Sequence, residues 1–95
     1  MTPNQVEYLL RSLRLVETVG RCGSFSAAAL ELGMTQPAVS QQIAQLETLL
    51  GVKLFKRLHR GVTSTEDGPI LHETITEILA SLHSTIDTVS KRNSR

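Results

Sequence analysis

Residues 25–44 read FSAAALELGMTQPAVSQQIA, and this stretch decides the fold. Phe25, Ala28, Ala29 and Leu32 share one face of a short helix over about 25–32, with Ser24 as its N-cap. Gly33 stands where a helix C-cap needs a left-handed residue. Thr35 then offers a second capping oxygen, and Pro37 sits in the following first turn, where its missing N–H costs little. The next helix runs over about 36–50, with Val39, Ile43, Leu46, Leu49 and Leu50 inward and Gly51 closing it. Two capped helices joined by a glycine-bearing turn are the parts of a helix-turn-helix, here spanning 25–44.

Upstream, Val6, Leu9, Leu10, Leu13, Val16 and Val19 predict a helical face over 5–22, which Gly20 weakens and Gly23 ends. Downstream, residues 53–64 predict a wing. Leu54–Arg57 and Gly61–Ser64 read as two short strands around the basic tip formed by Leu58, His59 and Arg60. Thr65 reads as a cap followed by the acidic first-turn residues Glu66 and Asp67, opening a long helix over 66–90 that tolerates Pro69 near its start. Residues 91–95 read as a disordered tail. The fold expected is mainly α: a winged helix-turn-helix over 1–65, with a three-helix core and a short two-stranded wing, followed by a linker helix.

Composition narrows the function. Ninety-five residues make one small domain, and with three aromatics and no Trp its core must be aliphatic. Cys22 is the lone cysteine, which excludes an intrachain disulfide and a Cys-rich metal site and suits a reducing, cytoplasmic setting. No signal peptide is expected, and no stretch approaches the roughly 18 apolar residues of a membrane span. His59, His72 and His83 lack zinc-site spacing. No phosphate loop, nucleophile elbow or paired carboxylate site appears. The expectation is therefore no enzyme, no cofactor, no metal and no small-molecule site.

The outward residues of the helix-turn-helix suit duplex DNA. Gln36, Pro37, Ser40, Gln41 and Gln45 are short or neutral. Glutamine can pair with adenine N6 and N7, and a proline ring can lie against a thymine methyl. Ser26 and Thr35, at helix starts, can hold phosphates. Lys53, Lys56, Arg57 and Arg60 occupy residues 48–63 without an acidic neighbour, whereas residues 66–87 carry Glu66, Asp67, Glu73, Glu77 and Asp87 without Lys or Arg. Lysine and arginine near phosphates supply salt-dependent affinity. Arg57 and Arg60 point either to phosphates or into a minor groove. The competing readings are a plain solvated surface, or a winged helix that docks a protein through its apolar long helix. That helix carries the stripe Leu71, Ile75, Ile78, Leu82, Ile86 and Val89 over roughly 35 Å, more than one small core can cover, and predicts a two-fold homodimer.

The run GSFSAAALELGMTQPAVSQQIAQLETLLGVKLFKR, continued by RGVTSTEDG, resembles the signature of the LysR-type bacterial transcription regulators, and the likeness covers residues 12–90. The resemblance implies base contacts from Gln36, Pro37, Ser40 and Gln41, and backbone contacts from Ser26, Thr35, Arg57 and Arg60. It further implies an interrupted palindromic DNA site, an antiparallel linker-helix homodimer, tetramers in the full-length protein, and a C-terminal effector domain. No such effector domain fits in this chain, which reads as a DNA-binding fragment, the alternative being a naturally short regulator. Three positions depart from the pattern. Gln41 stands where many members carry Arg, so no guanine contact is carried over to it; Ser64 replaces a usual Leu; and Pro69 is expected to shift or bend the linker-helix start.

Overall fold

The apolar periodicity ahead of Phe25 forms helix α1 (Pro3–Cys22), which starts earlier than expected. The reason is local: Thr2 Oγ1 accepts from the Gln5 amide while the Gln5 side chain accepts from the Thr2 amide, closing a capping box. The computed structural model describes residues 1–94. The line of burial on α1 passes from Tyr8 through Ser12, Leu15, Val16 and Val19. Val6 and Leu10, expected inward, fall on the far side and are exposed.

Helices α2 (Phe25–Leu32) and α3 (Gln36–Leu50) have the expected bounds and caps. Ser24 Oγ accepts from the Ala27 amide at 3.1 Å and Thr35 Oγ1 from the Ala38 amide at 3.3 Å. The turn between them is short, and both helices deliver their small or apolar faces (Ala28 and Ala29, then Val39, Ile43 and Leu46) to one core shared with α1. Arg21 ties α1 to α2 by donating to both carboxylate oxygens of Glu31 and to Glu17. Those bonds hold Arg21 more firmly protonated than usual, and the same guanidinium keeps the Glu31 carboxyl below the ordinary carboxylate range.

Strands β1 (Phe55–Arg57) and β2 (Val62–Ser64) pair antiparallel, with Phe55 opposite Ser64, Lys56 opposite Thr63 and Arg57 opposite Val62. Gly61 joins them at φ +80, and a Cβ there would stand 2.6 Å from the Gly23 carbonyl oxygen. Only glycine permits both the left-handed turn and that approach. The wing is thereby pinned to the end of α1, since the Val62 amide donates to the same carbonyl at 3.0 Å.

Helix α4 (Gly68–Asn93) begins two residues later than expected. Thr65 is engaged elsewhere: its hydroxyl donates to the Lys53 carbonyl at 2.6 Å and its amide donates to the Leu54 carbonyl at 3.0 Å. Its Oγ1 still accepts from the Gly68 amide at 3.2 Å, but the helix starts after Glu66 and Asp67 with Asp67, not Thr65, at its N-cap position. At the other end the helix continues through Lys91 and Arg92 to Asn93, where a disordered tail was expected; Arg95 lies outside the described residues.

The apolar stripe of α4 divides. Ile75 is 1% exposed and belongs to the core, with Leu71 and Leu79 packed beside it. Its assignment to a dimer face is therefore corrected: this side chain is used within its own domain, against α1. Near it, His72 Nε2 lies 3.1 Å from the Glu17 carbonyl oxygen. Ile78, Leu82, Ile86 and Val89 are exposed, as is every described residue from Ala80 onward. Among the described residues no helix is long and apolar enough to cross a membrane.

Candidate nucleic-acid interface

The amphipathicity of α3 sets the geometry. With Val39, Ile43 and Leu46 buried, the opposite side of the same helix presents Pro37 and Gln41 to solvent, with Gln36 and Ser40 half-buried at its edge. Pro37 lies in the first turn of α3, after the Thr35 cap. Because the Thr35 oxygen accepts from Ala38, its hydroxyl hydrogen remains available as a donor beside the helix start.

Arg57 is the centre of the arrangement. Its guanidinium donates to Ser40 Oγ and lies over the Phe25 ring, 4.8 Å from the centroid. A cation at that range is attracted to the ring face, so Arg57 links wing, bracing helix and α3. It also lines two adjoining grooves. The larger, about 440 Å³, brings together Ser40, Lys53, Lys56 and Arg57. The smaller, about 220 Å³, brings together Ser26, Gln36, Arg57 and His59. Of the sequence-predicted residues, Ser26, Gln36, Ser40, Lys53 and Lys56 thus line grooves that meet at Arg57, whereas Thr35, Pro37, Gln41 and Arg60 are exposed outside both grooves.

Two residues outside the expected set organise this surface. Glu47 is buried on the inward side of α3, and its Oε2 accepts from the Leu54 amide at 2.6 Å and the Phe55 amide at 3.2 Å. Lys53 Nζ stands 4.0 Å from its other oxygen. The carboxylate therefore seats the start of β1 against α3. Its signal was present in the spacing, since Glu47 continues the inward series from Ile43. Tyr8 is the second: its phenol donates to Gln45 Oε1 at 3.0 Å, from the other flank of α3. That contact crosses two elements far apart in the chain, and no local pattern foretells it.

Among the described residues no group of His, Cys, Asp and Glu is placed to hold a metal ion. What the arrangement offers instead is neutral donors and acceptors on a helix start, edged by cations. Such a surface can meet base edges and phosphates.

Comparison with known proteins agrees in kind. Residues 10–69 match the model of the bacterial regulatory helix-turn-helix proteins of the lysR family. The chain is 48% identical over 73 residues to the HTH-type transcriptional regulator BlaA of Proteus vulgaris, covering 77% of this chain and 25% of that protein. Against the HTH-type transcriptional regulator CbbR of Rhodospirillum rubrum the figures are 47% over 73 residues, 77% and 24%. The chain thus spans about a quarter of the length of these curated relatives. Among solved structures, the BenM DBD in complex with benA site 1 DNA superposes with a TM-score of 0.80 at 32% identity, covering 90% of this chain and 96% of that one. Full-length BenM, as its R156H mutant, gives 0.77 at 32% identity, covering 90% and 28%.

Proposed function

The chain belongs to the LysR family of bacterial regulatory helix-turn-helix proteins, and from that premise we propose that it is the sequence-specific, duplex-DNA-binding part of a transcription regulator. Helix α3 enters the major groove with Gln36, Pro37, Ser40 and Gln41 toward base edges. Ser26, Thr35, Lys53, Lys56, Arg57 and Arg60 meet the flanking backbone or minor groove. The observation that carries this reading is the Arg57 bridge, which holds the basic wing against the polar edge of α3 at Ser40. The structural likeness to a chain bound to DNA supports the same docking.

Two chains pair through the exposed part of the α4 stripe (Ile78, Leu82, Ile86 and Val89), with Leu71 at its margin. A two-fold pair reads an interrupted palindrome, and in the full-length protein two such pairs can join as a tetramer. The chain acts in the cytoplasm, without catalysis, cofactor or metal. An effector domain on the longer protein supplies the response to a small inducer.

A salt titration tests the reading. Affinity for duplex DNA should fall with a log–log slope of roughly −0.9 per phosphate contacted. A flat response would instead favour a protein-docking winged helix.

A further inference from the structure

Tyr8 precedes the residues shared with the family, which begin at Leu10, yet it reaches the helix that carries the reading surface. Its backbone is held within α1, where the Ser12 hydroxyl donates to the Tyr8 carbonyl at 2.8 Å. Its phenol donates to Gln45 Oε1 at 3.0 Å and stands 3.4 Å from the Gln42 carbonyl oxygen. The Arg11 guanidinium lies 6.0 Å from its ring centroid. These groups line a groove of about 300 Å³ between α1 and the outer half of α3, opposite the flank held by Arg57.

A glutamine on an exposed helix face turns freely and offers either a donor or an acceptor. Here one lone pair of Oε1 takes the phenol hydrogen, which fixes which end of the amide faces Tyr8 and leaves both Nε2 hydrogens of Gln45 free to donate. Gln45 lies four residues after Gln41, hence on nearly the same face, one turn further along α3. We propose that Tyr8, Gln45 and Arg11 form an additional contact with the duplex beyond the helix start. In it, Tyr8 is a positioning residue that fixes Gln45 as a hydrogen-bond donor toward an acceptor atom of the duplex. That atom is an acceptor on a base edge or a phosphate oxygen. Arg11 adds positive charge at the same groove. The inference rests on the duplex-binding reading.

The test uses the whole chain and two probes: the tightest duplex recovered by the wild type from a random pool, and the same duplex scrambled. Tyr8→Phe and Gln45→Ala should each weaken the selected duplex by roughly three- to tenfold, the range of one hydrogen bond. The double variant should lose no more than the weaker single, because the two residues act as one unit. Thermal melting should stay near wild type in all three. A loss confined to one base pair identifies a base edge as the acceptor; a uniform loss with a salt slope shallower by about 0.9 identifies a phosphate. Additive losses, or wild-type affinity in either single variant, would overturn the inference, as would a Tyr8→Phe loss that only follows a lowered melting temperature. Absence of any preference between the probes in the wild type would remove the duplex-reading premise and this contact with it.

Discussion

At the scale of single residues, two charged side chains fix where the wing stands. Glu47 works from inside, accepting the Leu54 and Phe55 amides, and Arg57 works from outside, spanning Ser40 and the Phe25 ring. A buried amide left without an acceptor costs about 1–3 kcal/mol. Glu47→Ala removes the acceptor of both the buried Leu54 amide and the part-buried Phe55 amide, and should cost about 2–3 kcal/mol in chemical denaturation. Glu47→Gln keeps one acceptor oxygen and should cost about 1 kcal/mol. Equal stability of Glu47→Ala and wild type would show that the carboxylate does not seat the wing. Ser40 also has a double part, since its oxygen receives Arg57 while its hydrogen stays free to meet a base. The outward set Gln36, Pro37, Ser40 and Gln41 was legible because helical periodicity alone assigns faces. The Arg57–Ser40 and Tyr8–Gln45 bonds were not, because each joins elements whose relative placement no local spacing encodes.

At the scale of elements, legibility follows where the signals are local. Helices α2 and α3 carry their own start and stop chemistry, Ser24 and Thr35 at one end and Gly33 and Gly51 at the other, and their bounds were readable. The start of α4 was not, because Thr65 is drawn to the Lys53 carbonyl, a partner twelve residues back. The stripe on α4 was visible as a stripe but not as two halves. Ile75 is consumed by the domain core, while Leu82 remains 56% exposed. An exposed apolar line on a helix that projects past its own domain calls for a covering surface. Leu82→Asp combined with Ile86→Asp should therefore convert a dimer to a monomer in analytical ultracentrifugation while the wing and core fold as before. The distal turns of α4 should lose helicity in the same variant, because a helix without tertiary packing is marginal in water. A wild-type chain that sediments as a monomer at high concentration would contradict the pairing through α4.

At the scale of the whole molecule, the parts have separable tasks. The aliphatic core and the Arg21–Glu31 link hold α1, α2 and α3 as one body. The wing adds cations beside the polar edge of α3, and α4 extends away with its apolar line uncovered. This division explains how a chain of formal net charge +1 can carry a strongly polar, cation-edged face. The sequence showed the polarity through the acid-free run 48–63, and the structure adds that the one nearby acid, Glu47, is buried beneath it.

Selection of bound duplexes from a random pool tests that face most directly. Two joined copies reading through α3 should enrich an inverted repeat whose half-site centres lie about one helical turn, 10–10.5 bp, or a multiple of it apart. Recovery of a pool as random as the one supplied would contradict the account at its centre.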